Sequence, residues 1–303
     1  MNYQAMEYFK AAAEEGSFTA GARKLHITQQ TLSAGIAHVE EELGCRLFER
    51  TTPLTLTNEG KIFQGYAEEF LSKHRIMMKH FREISAGRSG TLHVGVGYTR
   101  GRSVMPSLIK DFLEEYPEFQ VVLHENATEE LIKELKEGEI DLLVARIAGQ
   151  DPDLNLHPFY REHIVLSASK ELLKKVFKDE WSDVVAQAKK GDFTRFQECP
   201  FVMSFPEDTT GIIAEYFLKS HNLQPKVRAI SDNLETLLAM CVQGTGAAFC
   251  PQNLMEVSVP KEARKDLVVF SLPKEASYPI QIATRRQNYS RRAVEAFIRM
   301  ARG

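Results

Sequence analysis

A chain of 303 residues, 43% hydrophobic and 26% charged, has room for two domains of ~100–200 residues and apolar material for a core in each. Its 38 Lys and Arg against 41 Asp and Glu leave a net charge of −3, which excludes a polycation held on nucleic acid by bulk charge. No apolar run approaches the ~18–20 residues of a membrane span, and Glu7, Lys10, Glu14 and Glu15 interrupt any secretory signal. Cys45, Cys199, Cys241 and Cys250 include no C-x-x-C pair, so neither a disulfide scaffold nor structural zinc is expected. The expectation is a cytoplasmic protein with no cofactor and no metal.

Residues 1–90 read as helix. Met6, Phe9, Ala12 and Ala13 form an apolar stripe that Gly16 and Ser17 stop. Ser17 caps a short helix from Phe18 to about Leu25, and His26-Ile27-Thr28 links it to a longer one, Gln29 to Leu43. There Leu32, Ile36, Val39 and Leu43 make one stripe expected to be buried, and Gly44 stands where a left-handed C-cap wants glycine. The threonine-rich run after Arg50 suits a small two-stranded ribbon. Thr57 then caps a helix of about Asn58–Ser85, a rod of ~42 Å, in which Phe63, Phe70, Met77 and Ile84 recur every seven residues. That is the coiled-coil period, and it predicts a dimer helix. Residues 86–90, Ala-Gly-Arg-Ser-Gly, read as a linker.

From Thr91 strands and helices alternate. Strands are predicted at Leu92–Val96, Gln120–His124 and Ile140–Ala145, with helices at Ser103–Glu115 and Glu129–Lys136 between them. The alternation restarts after a strand at Ile164–Ser169 and closes with strands at Leu267–Ser271 and Ile280–Thr284 and a helix at Ser290–Arg302. Apolar strands with helical crossovers predict a parallel sheet covered on both faces, arranged as two half-domains joined by crossing strands.

Helix, three-residue turn, helix is the geometry that lays a second helix in the major groove while the first braces it. The stripe from Leu32 leaves Gln29, Gln30, Thr31, Ser33 and Ala34 outward at the start of the second helix, and Thr28 of the link joins the polar ones as a DNA-binding candidate. Their short polar groups suit base edges, and Arg50 at the ribbon suits phosphate or the minor groove. Two short helices with a polar face also occur in many proteins that never touch DNA. Residues 1–58 carry five Lys or Arg against seven acids, the reverse of the usual basic footprint, so the positive groups must be concentrated locally.

Gly16-Ser17-Phe18-Thr19-Ala20 with Ala22, Leu25, Gln29 and Ser33, then Glu41-Glu42-Leu43-Gly44, Leu47-Phe48-Glu49-Arg50 and Leu56-Thr57-Asn58-Glu59-Gly60, resembles the winged helix-turn-helix of LysR-type transcriptional regulators. The resemblance runs the length of the chain. It implies an N-terminal, mainly α winged helix-turn-helix over 1–58, its helix-turn-helix at about 18–37, and a linker and dimerisation helix over 59–90. It further implies a C-terminal α/β, periplasmic-binding-protein-like effector domain over 91–303, with subdomain I at about 91–163 and 269–303 and subdomain II at about 164–268. The partners it implies are double-stranded DNA at an interrupted palindrome, a small-molecule effector, a second copy in a homodimer, a homotetramer on DNA, and RNA polymerase. Two departures stand out. Gln30 and Ala34 occupy positions where the family commonly has proline and arginine, and Thr51-Thr52-Pro53-Leu54 replaces an arginine-rich ribbon.

In open α/β sheets ligands sit beyond the carboxyl ends of strands, facing helix N-termini. Together with the resemblance this selects Thr99, Arg100, Thr128, Arg146, Phe205 and Phe249 as effector-binding residues, and hydroxyls with an arginine fork favour a carboxylate. Arg100 reads equally as a surface ion pair and Arg102 more readily as one than as a ligand contact, Thr128 reads also as a helix cap, and Phe205 and Phe249 as core. An enzyme is disfavoured: Arg100 breaks G-x-G-x-x-G, and no G-x-S-x-G, H-E-x-x-H or Walker lysine occurs, so no catalytic residue is assigned. A transport component would not need residues 1–90. Cysteine-based redox control within the same fold is the subtler alternative, though Cys241 and Cys250 lie in apolar runs where thiols are usually inert.

Overall fold

The computed structural model describes residues 2–85, 90–273, 276–286 and 292–302, and within the long helix it leaves out the side chains of 79, 80, 83 and 84. The expected linker, the side chain of Ile84 and the expected first turn of the last helix at 290–291 therefore lie outside the described residues. The chain forms two compact units, Met1–Ser89 with Lys136–Glu139, and Gly90–Leu135 with Ile140–Gly303.

The first unit is built by local signals. Helix α1, Tyr3–Glu15, is capped by the Asn2 side chain on Ala5 N–H and ends at Gly16 with φ +58°. Helix α2, Phe18–Lys24, starts on Ser17, whose hydroxyl accepts from Ala20 N–H. The turn to α3, Gln29–Leu43, passes through His26 at φ +55°, and Ile27 N–H reaches back to Ala22 C=O at 3.0 Å. These bonds satisfy carbonyls that the end of α2 would leave open. Gly44, φ +70°, closes α3. A ribbon follows, β1 Phe48–Glu49 antiparallel to β2 Thr55–Leu56, and Thr57 caps α4, Asn58–Ser85, through Gly60 N–H.

Met6, Phe9, Ala12, Leu32, Ile36, Val39, Leu47, Phe48 and Phe63 share one core. Leu43 is 43% exposed instead of buried. Beyond Gly44 the chain returns to the core at Leu47 and Phe48, both buried, and their N–H groups donate to Glu40 Oε1 at 2.7 and 3.3 Å.

The second unit runs β3 Thr91–Val96, α5 Tyr98–Ser103, α6 Met105–Glu115, β4 Gln120–Glu125, α7 Thr128–Glu137, β5 Leu142–Ala145 and the 16-residue β6, Leu154–Ser169. Then follow α8 Lys170–Phe177, α9 Trp181–Ala188, β7 Phe201–Met203, α10 Thr209–Ser220, β8 Val227–Ile230, α11 Leu234–Val242, β9 Ala247–Pro251, α12 Gln252–Ser258, α13 Lys261–Arg264, β10 Leu267–Ser271, β11 Ser277–Arg285 and α14 Arg292–Arg302. The strand order is β4-β3-β5-β11-β6-β9-β7-β8, with β10 also on β6.

The sheet is mixed, which corrects the parallel expectation. β3 pairs parallel with β4 and β5, and β7 with β8 and β9. Every pairing of β6 and β11 is antiparallel. β6 spends Leu154–His163 on β11 and Ile164–Ser169 on β9 and β10, so one strand belongs to both halves. The segment read as a loop after β3 is the helix α5, begun by bonds from Arg100 and Gly101 N–H to Gly97 C=O. Gly101 faces the end of β4: a Cβ there would stand 1.9 Å from Glu125 Oε1, and that side chain would have to swing aside.

Gly60 plays the matching part in the first unit. A Cβ on it would stand 2.0 Å from the Leu47 carbonyl oxygen, a backbone atom that cannot swing aside. Gly60→Ala should destabilise the first unit by ~1–3 kcal/mol through overpacking. Thermal unfolding of the full chain should show an earlier transition for that unit alone.

Candidate DNA-reading face and effector cleft

On α3 the buried side chains Leu32, Ile36 and Val39 turn Gln29, Gln30, Thr31 and Ala34 to solvent, with Ser33 half-buried. Thr28 is the cap: its Oγ1 accepts from Thr31 N–H at 3.1 Å and shares a 2.8 Å hydrogen bond with Thr31 Oγ1. The two glutamines are the long polar groups left at the helix start. Arg50 is exposed, 3.6 Å from Glu40 Oε2 and 5.5 Å from the centre of the Phe18 ring. Glu40 is thus turned onto the ribbon, where it ties two backbone N–H groups and steadies Arg50. Lys24 is occupied by Glu14 and Glu15, each at 2.9 Å. Arg23 and Arg46, which the sequence reading passed over, are exposed and have no ion-pair partner among the described residues.

Along α4 residues seven apart lie on nearly one face, but the core covers that face only at the start of the helix. Phe63 is buried edge-on to Phe9, ring centroids 4.8 Å apart, so it belongs to the core and not to an outer stripe. The exposed apolar groups are Ile62, Tyr66, Phe70, Met77, Met78 and Phe81. Tyr66 to Met77 and Phe70 to Phe81 are eleven apart, three turns of a nearly straight helix.

In the second unit a cavity of about 480 Å³ opens where α5, α7, α10 and α11 begin. Thr99, Arg100 and Thr128 line it. Arg146 stands at its border, Nη1 donating to Thr209 Oγ1 at 3.0 Å and the guanidinium 5.5 Å from the centre of the Tyr278 ring. Phe249 is core, packed on Phe201 and Phe217, and Phe205 is exposed outside the lining; both leave the site. Thr128 is the first residue inside α7, with Ala127 C=O taking the first helical bond, so its hydroxyl is not the cap.

The floor of the cavity is an unforeseen polar cluster. Glu162, 1% exposed, accepts from Arg100 Nη2 and Tyr160 Oη, each at 2.8 Å, and from Tyr278 Oη. Burial opposes Arg100's charge, but Glu162 and the two tyrosines facing it raise its proton affinity. Burial, then the Glu162 charge, drives both tyrosines far above their ordinary range, so their O–H groups remain donors. Arg100 is therefore an ion pair, as one reading of the sequence had it, but a buried one. Its Nε has no hydrogen-bond partner among the described residues. Period-2 alternation back from Ala168, Leu166 and Ile164 puts Glu162 and Tyr160 on one face of β6, a signal the sequence did carry. Ser204, Asp208, Asp232 and Glu235 complete the polar wall.

Cys199, Cys241 and Cys250 are free and buried. Burial pushes their thiols up to about 12, about 11 and about 12. Neutral, enclosed thiols are poor nucleophiles, which weighs against redox control through these three.

The chain matches the model of the bacterial regulatory helix-turn-helix protein, lysR family, over residues 3–61, and that of the LysR substrate binding domain over residues 85–303. It belongs to the LysR family of DNA-binding transcriptional regulators, which is not a family of enzymes. It is 27% identical over 317 residues to the uncharacterized HTH-type transcriptional regulator YcgK of Bacillus subtilis (strain 168), covering 100% of this chain and 94% of the relative. It is 27% identical over 278 residues to the DNA-binding transcriptional dual regulator OxyR of Escherichia coli (strain K12), covering 89% and 84%. Full-length CbnR complexed with its target DNA superposes with a TM-score of 0.61 at 21% identity, over 100% and 99% of the two chains. That likeness bears on the fold alone.

Two measurements test the buried ionisable groups of the second unit. Glu162→Gln strands the Arg100 charge and should destabilise the second unit by ~3–5 kcal/mol in urea, whereas Glu162→Gln with Arg100→Met should lose less. The thiols and tyrosines hold their protons more tightly when folded. Their stabilisation is complete below the unfolded thiol's ordinary 9.0 and is lost as pH rises through about 11 to 12. Unfolding free energy should therefore fall across that window, and less so in Cys241→Ala.

Proposed function

We propose that this regulator reads an interrupted-palindrome operator as a homodimer, assembled to a homotetramer on DNA, and that a small carboxylate-bearing effector in the cleft changes its output to RNA polymerase. Its place of action is the cytoplasm. Gln29, Gln30 and Ser33 face the bases, Thr28 and Thr31 hold the helix start in shape, and Arg50 takes a phosphate. The observation that carries the reading is the exposed glutamine pair at the start of α3, directly above a stripe that anchors the helix to its core. Glutamine matches the donor and acceptor edge of adenine.

Self-association through α4 is supported by Ile62, Tyr66, Phe70, Met77 and Phe81, apolar groups that water would otherwise cover along one stripe. A carboxylate in the cleft is supported by the start of α10, where Asp208 makes no side-chain cap bond, leaving first-turn N–H groups for an anion beside Arg146.

Operator titrations test the first claim. Gln29→Ala should lose ~1–3 kcal/mol at one base pair and tolerate substitution there, while Arg50→Ala should weaken all sequences alike and flatten the salt slope by about one. Equal loss on every sequence for Gln29→Ala would remove α3 from the groove. Phe70→Glu with Met77→Glu should sediment as a monomer and lose operator binding; a persisting dimer would place the interface elsewhere.

A further inference from the structure

The cleft's charges, taken pair by pair, specify more than a carboxylate. Resting on the proposed effector reading, we infer that the ligand is zwitterionic, an α-amino acid or a close relative, with its ammonium group held by Asp208 and Asp232.

Arg100 is neutralised by Glu162 at 2.8 Å, and Arg102 by Glu235 at 2.5 Å. Those two pairs cancel. Of the charged groups lining the cavity, Asp208 and Asp232 are left without a cation, and Arg146 stands at its border on Thr209. Among the described residues no lysine or histidine lines it. A simple carboxylate would meet one cation and two anions, and like charge across a small enclosed volume disfavours it.

Asp208 is not spent on the helix it begins. Its Oδ2 accepts from the buried Ser204 hydroxyl at 2.7 Å, and it makes no side-chain bond to the first turn of α10. The carboxylate is therefore positioned by Ser204 with acceptor capacity to spare, while the helix N–H groups stay open. By contrast, Asn233 closes the start of α11, its Oδ1 accepting from Glu235 and Thr236 N–H. Asp232 is exposed and has no hydrogen-bond or ion-pair partner among the described residues.

An anion site at Arg146 and the α10 start, next to an acceptor pair with no cation of its own, matches a molecule carrying both charges. An ammonium group between two carboxylates forms charge-assisted hydrogen bonds that a hydroxyl cannot replace.

The test uses the full-length protein and calorimetric titration with the twenty L-amino acids, the 2-hydroxy acids of the same side chains, and straight-chain alkylamines. At least one amino acid should bind, its hydroxy acid about tenfold or more weaker. Asp208→Asn should remove that preference, Asp208→Glu should restore part of it, and circular dichroism of both should match the parent. Arg146→Ala should weaken amino acid and hydroxy acid alike. A hydroxy acid bound as tightly as its amino acid, or an Asp208→Asn variant with its preference intact, overturns the zwitterion and leaves the cleft reading standing. Amino acid binding that neither Arg146→Ala nor Asp208→Asn weakens overturns both. No binding by any amino acid also overturns the inference.

Discussion

A carboxylate buried in the middle of a sheet must be met by donors, and Glu162 is met by three. Tyr160 shares its strand, Tyr278 comes from the strand beside it, and Arg100 comes from the first helix after β3. Each donor's loss of water is in turn compensated by its bond to the acid. The cluster thereby fixes where α5 begins and where β11 crosses β6. The cleft takes its shape from that crossing, since the helices that open onto it start from strands on either side.

The mixed sheet follows from the same region. β6 is long enough to pair with β11 over its first ten residues and with β9 and β10 over its last six. A chain that crosses from one half to the other and returns must run antiparallel to itself. The parallel pairs stay within each half, where helical crossovers connect them. Cavity-lining groups thus come from loops at the ends of short parallel strands, while the floor comes from the continuous antiparallel ones.

What could be read beforehand divides along the range of the interaction. Ser17, Thr28, Thr57, Gly16 and Gly44 act within four residues, so caps and helix limits in the first unit were legible from neighbours alone. The first half of β6 was legible in its alternation but not in its burial. Pro158, Arg161 and Glu162 make it look like surface, and their partners lie more than a hundred residues away in β11. Phe63 shows the same limit in a helix: a spacing of seven tells which residues share a face, not which of them the core covers. Gly60, wedged against the Leu47 carbonyl, lets the start of α4 pack where any larger residue would push it away. Phe249 and Phe205 both leave the expected site for a similar reason, one to the core and the other to solvent, since sequence marks where a strand ends but not which way a nearby aromatic points.

The two units handle charge in opposite ways. In the cleft, buried charges are paired first, and only groups left over from pairing are available to a ligand. On the reading face, Glu14 and Glu15 take Lys24, and Glu40 stands beside Arg50 without burying it. The face has few free cations, so in the proposed complex phosphate attraction can supply only part of the affinity. The remainder must come from hydrogen bonds at the start of α3 and from linking several weak readers on one site, which multiplies affinity without new contacts. Linkage of that kind depends on how the copies are held apart. A regulator with a weakly charged reader is thus the kind whose DNA affinity should respond most to a change in assembly, and the exposed stripe on α4 is the surface on which such an assembly would be built.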